Sequence, residues 1–214
     1  MYWIRTKFSD IFRLDLNLGR TCMKLQLAKS ISLIFGFPWF VMFAYLLIHF
    51  TQLSPDQYHF YRLFLPFIHI IVPVAYFVWA LKTKRISDID ISKREERIEP
   101  LTVIAFKNLI SIGVIYKVGG TTLLLTGISI IFAFTVVFLI TSFWKISLHM
   151  TVNTMGVILF TVLVDPRFIA LSVLLPVVAW SRYFQHKHTK AQLLMGVLVP
   201  GAVLLSSLMY FKLL

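Results

Sequence analysis

Acidic side chains are scarce in this chain. Nine Asp and Glu stand against 21 Lys and Arg, and charged residues of both signs make up only 14% of the 214. A soluble domain of that length needs far more polar surface, so a water-filled globular class is excluded. There is one cysteine, Cys22, which rules out an intramolecular disulfide and leaves the redox compartment open. Residues 1–29 lack the short apolar core of a cleavable signal peptide. Neither an internal repeat nor a low-complexity tract is present. The net charge of +12 would suit nucleic acid, but 58% of the residues are hydrophobic. In such a chain a basic excess reports orientation, through Lys and Arg kept on the cytoplasmic side.

What is abundant is apolar length. Several stretches are long enough to cross a hydrocarbon core of about 30 Å. Candidate spans lie near 30–50, 62–81, 101–117, 120–143, 148–164, 167–181 and 190–211, the third interrupted by Lys107 and Asn108. The expected fold is an all-α, polytopic transmembrane helical bundle of six to seven spans over residues 30–214. Ahead of it, residues 1–29 are basic, with Trp3, Ile4, Phe8, Ile11 and Phe12 at roughly helical spacing. They read either as an interfacial helix or as a basic tail.

Seven spans put residues 1–29, 82–100, 144–148 and 182–189 on one side of the membrane, with Lys190 at the edge of the last. Those segments hold 16 Lys and Arg: six in the tail, six in 82–100, Lys145, and Arg182, Lys187 and Lys190. The other side holds four: Arg62, Lys117, Arg167 and Lys212. The N-terminus and these loops are therefore expected to be cytoplasmic, in an integral, multi-pass membrane protein.

The same basic side carries the unusual polar residues, in "SDIDISKREERIEP" (87–100), "WKISLH" (144–149) and "SRYFQHKH" (181–188). Two spans separate each loop from the next, so all three can converge at one interface. "SRYFQHKHTKAQ" resembles the third signature of the phosphatidic-acid phosphatase type 2 superfamily, S-R-x5-H-x3-D, in Ser181, Arg182 and His188. Gln192 stands where most members have aspartate, which is similar to the dolichyl- or polyprenyl-diphosphatase-like branch. "ISLH" resembles the second signature, P-S-G-H, in Ser147 and His149, with Ile146 and Leu148 for the proline and glycine. The first signature, K-x6-R-P, is degenerate: Pro100 fits its proline, but Glu99 and Ser92 fall on its basic positions. The cluster Lys93, Arg94 and Arg97 stands there instead.

The chemistry of these residue types is coherent. Phosphoryl transfer spreads negative charge over the equatorial oxygens, so it needs fixed positive donors with a nucleophile and an acid. Arginine suits the first need because its planar fork holds phosphate bidentately. Arg182 with Lys93, Arg94 and Arg97 would form that clamp. The resemblance implies His188 as nucleophile, giving a phosphohistidine, and His149 as the acid that protonates the leaving oxygen and then activates water. It implies Ser147 as a phosphoryl hydrogen-bond donor, and Gln192 as the acceptor that holds the His188 tautomer without the aspartate's charge. The function so implied is that of a metal-independent lipid phosphatase, a hydrolase acting on a lipid phosphate or polyprenyl diphosphate. It needs no cofactor and no metal, and its partners are membrane lipids rather than nucleic acid.

Two other readings stay open. Asp88 and Asp90 would hold magnesium in a prenyl or phospho-alcohol transferase, although no second aspartate-rich loop exists and nearby arginines offer simple ion pairs. The departures at residues 92–100, Leu148 and Gln192 also fit a protein that only binds or transports an anionic lipid. His69 lies inside a span, where ionisable groups are often functional, but without a recognised partner. Lys107 either reaches a neighbouring polar group or marks a re-entrant helix. Asn153, one turn after His149, would orient that histidine or bond between helices. Lys187 and Lys190 read as simple positive-inside anchors, and Gly196 and Gly201 as positions of close helix packing.

Overall fold

The computed structural model describes residues 22–36, 63, 64, 66–88, 91–118 and 120–214. Residues 1–21, residues 37–50 of the first expected span, His59 and Asp90 lie outside these. Among the described residues the chain is helical, with no strand. Helix α1 covers 22–36 and runs without a break across the expected boundary at residue 29. Helix α2, Val72–Lys82, is entered through a π-helical turn, Phe67–Ile71. Then follow α3 (Ile98–Val118), α4 (Thr121–Phe143), α5 (Leu148–Leu163), α6 (Leu174–Phe184, led by a 3-10 stretch Pro166–Val173) and α7 (Lys190–Tyr210).

Four segments are long and apolar enough to cross a membrane: Glu95–Lys117, Thr121–Phe143, Pro166–Phe184 and Lys190–Tyr210. Phe67–Lys82 and Leu148–Leu163 are apolar but shorter. Large apolar side chains such as Phe106, Ile110, Phe132, Leu139 and Leu198 stay exposed on the outer faces, as hydrocarbon solvent permits. The buried core joins Ile115, Leu123, Ala133, Met155, Leu159, Leu204 and Leu208 from α3, α4, α5 and α7. Buried hydroxyls are satisfied within their own helices, Thr126 on Thr122 O and Thr141 on Val137 O, both at 2.8 Å. Ser207 on α7 bonds Ser129 on α4 at 2.9 Å, the kind of polar contact that holds helices together in lipid.

The turns put three helix ends on one side. Helix α2 closes with the amide of Arg85 bonding Ala80 O and that of Lys84 bonding Leu81 O. This is the Schellman pattern, which needs a left-handed residue just past the helix, and Lys84 takes it at φ 59°. Helix α6 closes the same way: Lys187 N bonds Arg182 O, His186 N bonds Tyr183 O, and His186 has φ 53°. The chain then turns at once into α7, where Thr189 is the N-cap and forms a capping box with Gln192. Third-span continuity is complete through Lys107, which bonds His69 Nδ1 at 2.8 Å and Asn108 Oδ1 at 2.7 Å.

Helix α7 crosses the start of α5 at Gly196. A Cβ there would fall 2.8 Å from both Met150 Cβ and Ser147 O, too close for either to yield. At Gly201 it would meet Thr154 Cγ2 at an ordinary 3.5 Å. Gly196→Ala should therefore destabilise by about 1–3 kcal/mol through overpacking. Gly201→Ala should be neutral or gain up to about 1 kcal/mol of helix propensity. Thermal unfolding of the two variants in detergent checks the contrast.

Candidate active site

The α6 cap explains the spacing of Arg182 and His188. Arg182 sits in the last turn of α6, three bonds of backbone fold the chain over that turn, and His188 emerges just before the α7 cap. Both are buried, Arg182 at 1% exposure and His188 at 5%. The start of α5 approaches from the other side. Ser147 is its N-cap residue, yet the hydroxyl does not cap the helix. Its Oγ is buried with no hydrogen-bond partner among the described residues, as is His188 Nδ1. His149, on the first turn of α5, is also buried.

Arg97 comes in from the 92–100 loop. Its Nε donates to Ile91 O at 3.0 Å and its Nη1 to Ile146 O at 2.9 Å. That ties the first polar loop to the second, next to Ser147. Helix α1 supplies Ser32, whose Oγ accepts a short hydrogen bond from Arg182 Nη1 and lies 3.3 Å from His149 Nε2. Gly36, one turn further along α1, passes so near His149 that a Cβ would fall 2.5 Å from Nε2.

The site is electropositive. His188 is pushed far down, to about 2, by burial first and then by Arg182, Arg97, Lys145 and His149. Its imidazole is therefore neutral, the form that carries a lone pair. Lys145 is lowered too, by burial and then by Arg97, Lys187 and Arg182, with only Asp88 opposing. Such a set of mutually repelling cations is relieved by an anion bearing more than one charge.

Of the residues expected here, Arg182, Arg97, His188, His149 and Ser147 are thus brought together. Lys93 is not: it pairs with Glu96 at 3.0 Å, with 59% of its side chain exposed. Arg94 is directed to the last carbonyls of α4, donating to Phe143 O at 2.7 Å. Gln192 does not touch His188. Its Oε1 accepts from Thr189 N at 3.1 Å in the capping box, so the contact that the family's aspartate supplies is not made. Asn153 orients backbone rather than the imidazole, donating to His149 O at 2.7 Å and Phe35 O at 2.8 Å. Asp88 accepts from Ser92 N and Oγ within its own loop. One residue was not anticipated, Ser32, hidden in an apolar run, while Lys187, expected as a simple anchor, donates from Nζ to Ser92 Oγ at 2.7 Å.

His149 and Ser32 also form one end of a cavity of about 550 Å³. It descends between α1, α2, α3, α4 and α5 along Val78, Phe77, Leu101, Ile104 and Ile131, and reaches Lys107 and Ser111. Its volume is in the range of small-molecule and lipid pockets. Compared with known proteins, the chain matches no family model, no curated protein and no solved structure.

Two outcomes follow from this geometry. A histidine held at about 2 in the folded state and near 6.5 when unfolded leaves the unfolded chain with more bound protons between those values. Stability should then rise with pH in that window, and fall by up to about 1.4 kcal/mol per unit on acidification below 6.5. Thermal unfolding followed from pH 6.5 to 5 should show a shallower slope in His188→Gln than in wild type. Gln192→Ala should lose about 1 kcal/mol from the opened capping box without changing that slope.

Proposed function

We propose that this protein is an integral-membrane lipid phosphatase that cleaves a lipid phosphate or polyprenyl diphosphate through a phosphohistidine. One observation carries the reading: a buried histidine, held neutral, is surrounded by Arg182, Arg97 and Lys145. A structural histidine has no use for three cations, whereas a nucleophile attacking a dianion does.

In this reading Arg182, Arg97 and Lys145 grip the phosphoryl oxygens, and Ser147 Oγ donates to one of them. A ring nitrogen of His188 attacks phosphorus, the N–P bond forms and the P–O bond to the lipid breaks. His149 gives its proton to the leaving oxygen. Water then attacks the phosphohistidine, His149 takes its proton, and inorganic phosphate departs. The apolar cavity below His149 receives the lipid chain. Helices α2 and α5 are short spans beside the four long ones. The site end, with its Lys and Arg excess, faces the cytoplasm.

A second reading, a non-catalytic anionic-lipid binder, draws support from Gln192, which is occupied in the capping box and leaves His188 Nδ1 without an orienting partner among the described residues. Phosphate release from a polyprenyl diphosphate and from phosphatidic acid, by purified protein with excess EDTA, separates the two. Turnover should survive EDTA and fall at least about 100-fold in His188→Ala and His149→Ala. Lys93→Ala should change it little. No turnover on either lipid would favour the binder, and loss of turnover with EDTA alone would point to magnesium chemistry at Asp88.

A further inference from the structure

The floor of the cavity carries a second polar cluster, on which hydrolysis at His188 makes no demand. Lys107 Nζ bonds His69 Nδ1 at 2.8 Å and Asn108 Oδ1 at 2.7 Å, and His69 Nε2 lies 3.0 Å from Ser111 Oγ. Lys107 is ten residues beyond Arg97 on the same helical path, so it lies about 15 Å deeper by helix rise. That is the middle of a hydrocarbon core of about 30 Å.

An ammonium group has three hydrogens to donate. Two meet neutral acceptors, and among the described residues no carboxylate lies within ion-pair distance of Lys107. The third remains for the cavity, which Lys107 lines. Buried cations in membranes are paired, or they await a ligand that pairs them. The cavity walls are mostly apolar, with Val74, Phe77, Ile104 and Ile131 among them, and the hydroxyl of Thr151, which also lines them, is committed to Ser147 O at 3.1 Å. A cation at the end of an apolar slot is the complement of an anionic head on a single hydrocarbon chain.

We propose that Lys107, with His69, Asn108 and Ser111, is a second, intramembrane binding site for the carboxylate or phosphate of a single-chain anionic amphiphile lying along this cavity. Its polar cluster is separate from the interfacial one, although an amphiphile held there fills the cavity that takes the lipid chain in the proposed reaction, and a protein that hydrolysed nothing would still have it.

The test is binding of dodecanoate and dodecyl phosphate to the full-length protein in non-ionic detergent, read as a ligand-dependent rise in thermal midpoint. Dodecanol is the uncharged control. Wild type and His188→Ala should both respond to dodecanoate, with affinity at least 10-fold weaker in Lys107→Gln and retained in Lys107→Arg. Ile104→Trp, which narrows the cavity without touching the cluster, should weaken binding equally and serves where Lys107→Gln does not fold. If dodecyl phosphate shows the same dependence on Lys107, the site takes both heads. If dodecyl phosphate depends on Arg182 alone, the site is one for carboxylates. Equal affinity in wild type, Lys107→Gln and Ile104→Trp would overturn the proposal. So would a response to dodecanol as large as that to dodecanoate, or a dodecanoate response lost in Arg182→Ala and unchanged in Lys107→Gln.

Discussion

Two guanidinium groups buried at one end of a helical membrane bundle organise everything around them. Arg97 and Arg182 are each 1% exposed, and a charge taken out of water must be met by acceptors held in place. Arg97 meets the carbonyls of Ile91 and Ile146, and Arg182 meets Ser32. The bonds to Ile146 and Ser32 cross between segments distant in sequence. The loops therefore lock to one another because the arginines need partners, and the histidines inherit fixed positions from that locking.

Position and electrostatics are coupled in this arrangement. The cations that would steady a phosphoryl group are the same ones that keep His188 unprotonated. One set of charges therefore both attracts the anion and preserves the lone pair that would attack it. Below, the lining changes from charged to apolar along α3, from Arg97 just ahead of it to Leu101 and Ile104, before it meets Lys107. A lipid can only be accommodated by a surface that makes that change at the depth where headgroup gives way to tail.

Much of the frame was legible in the sequence because hydrocarbon thickness sets helix length. Expected spans at 101–117, 120–143 and 190–211 match α3, α4 and α7 within a few residues. The turn that joins Arg182 to His188 was not legible, since left-handed caps are ordinarily glycine and here Lys84, His186 and Lys212 take them. Gln192 carried its own signal: Thr189 followed three residues later by Gln ahead of an apolar run is a capping box. Lys93 and Arg97 sit one turn apart, and only tertiary context separates them, because Glu96 claims the first while Ile91 and Ile146 bury the second. Lys107 looked like an interruption because its partner His69 is 38 residues away on another helix.

The bond from Arg182 to Ser32 spans 150 positions, and this has a meaning for how the protein is made. During synthesis α1 is made well before the helical hairpin, α6 and α7, that carries Arg182 and His188. Until that hairpin inserts, Ser32 and His149 face a half-built pocket without its principal cation. A nascent chain that stops short of that hairpin therefore holds Ser32 without the arginine that fixes it.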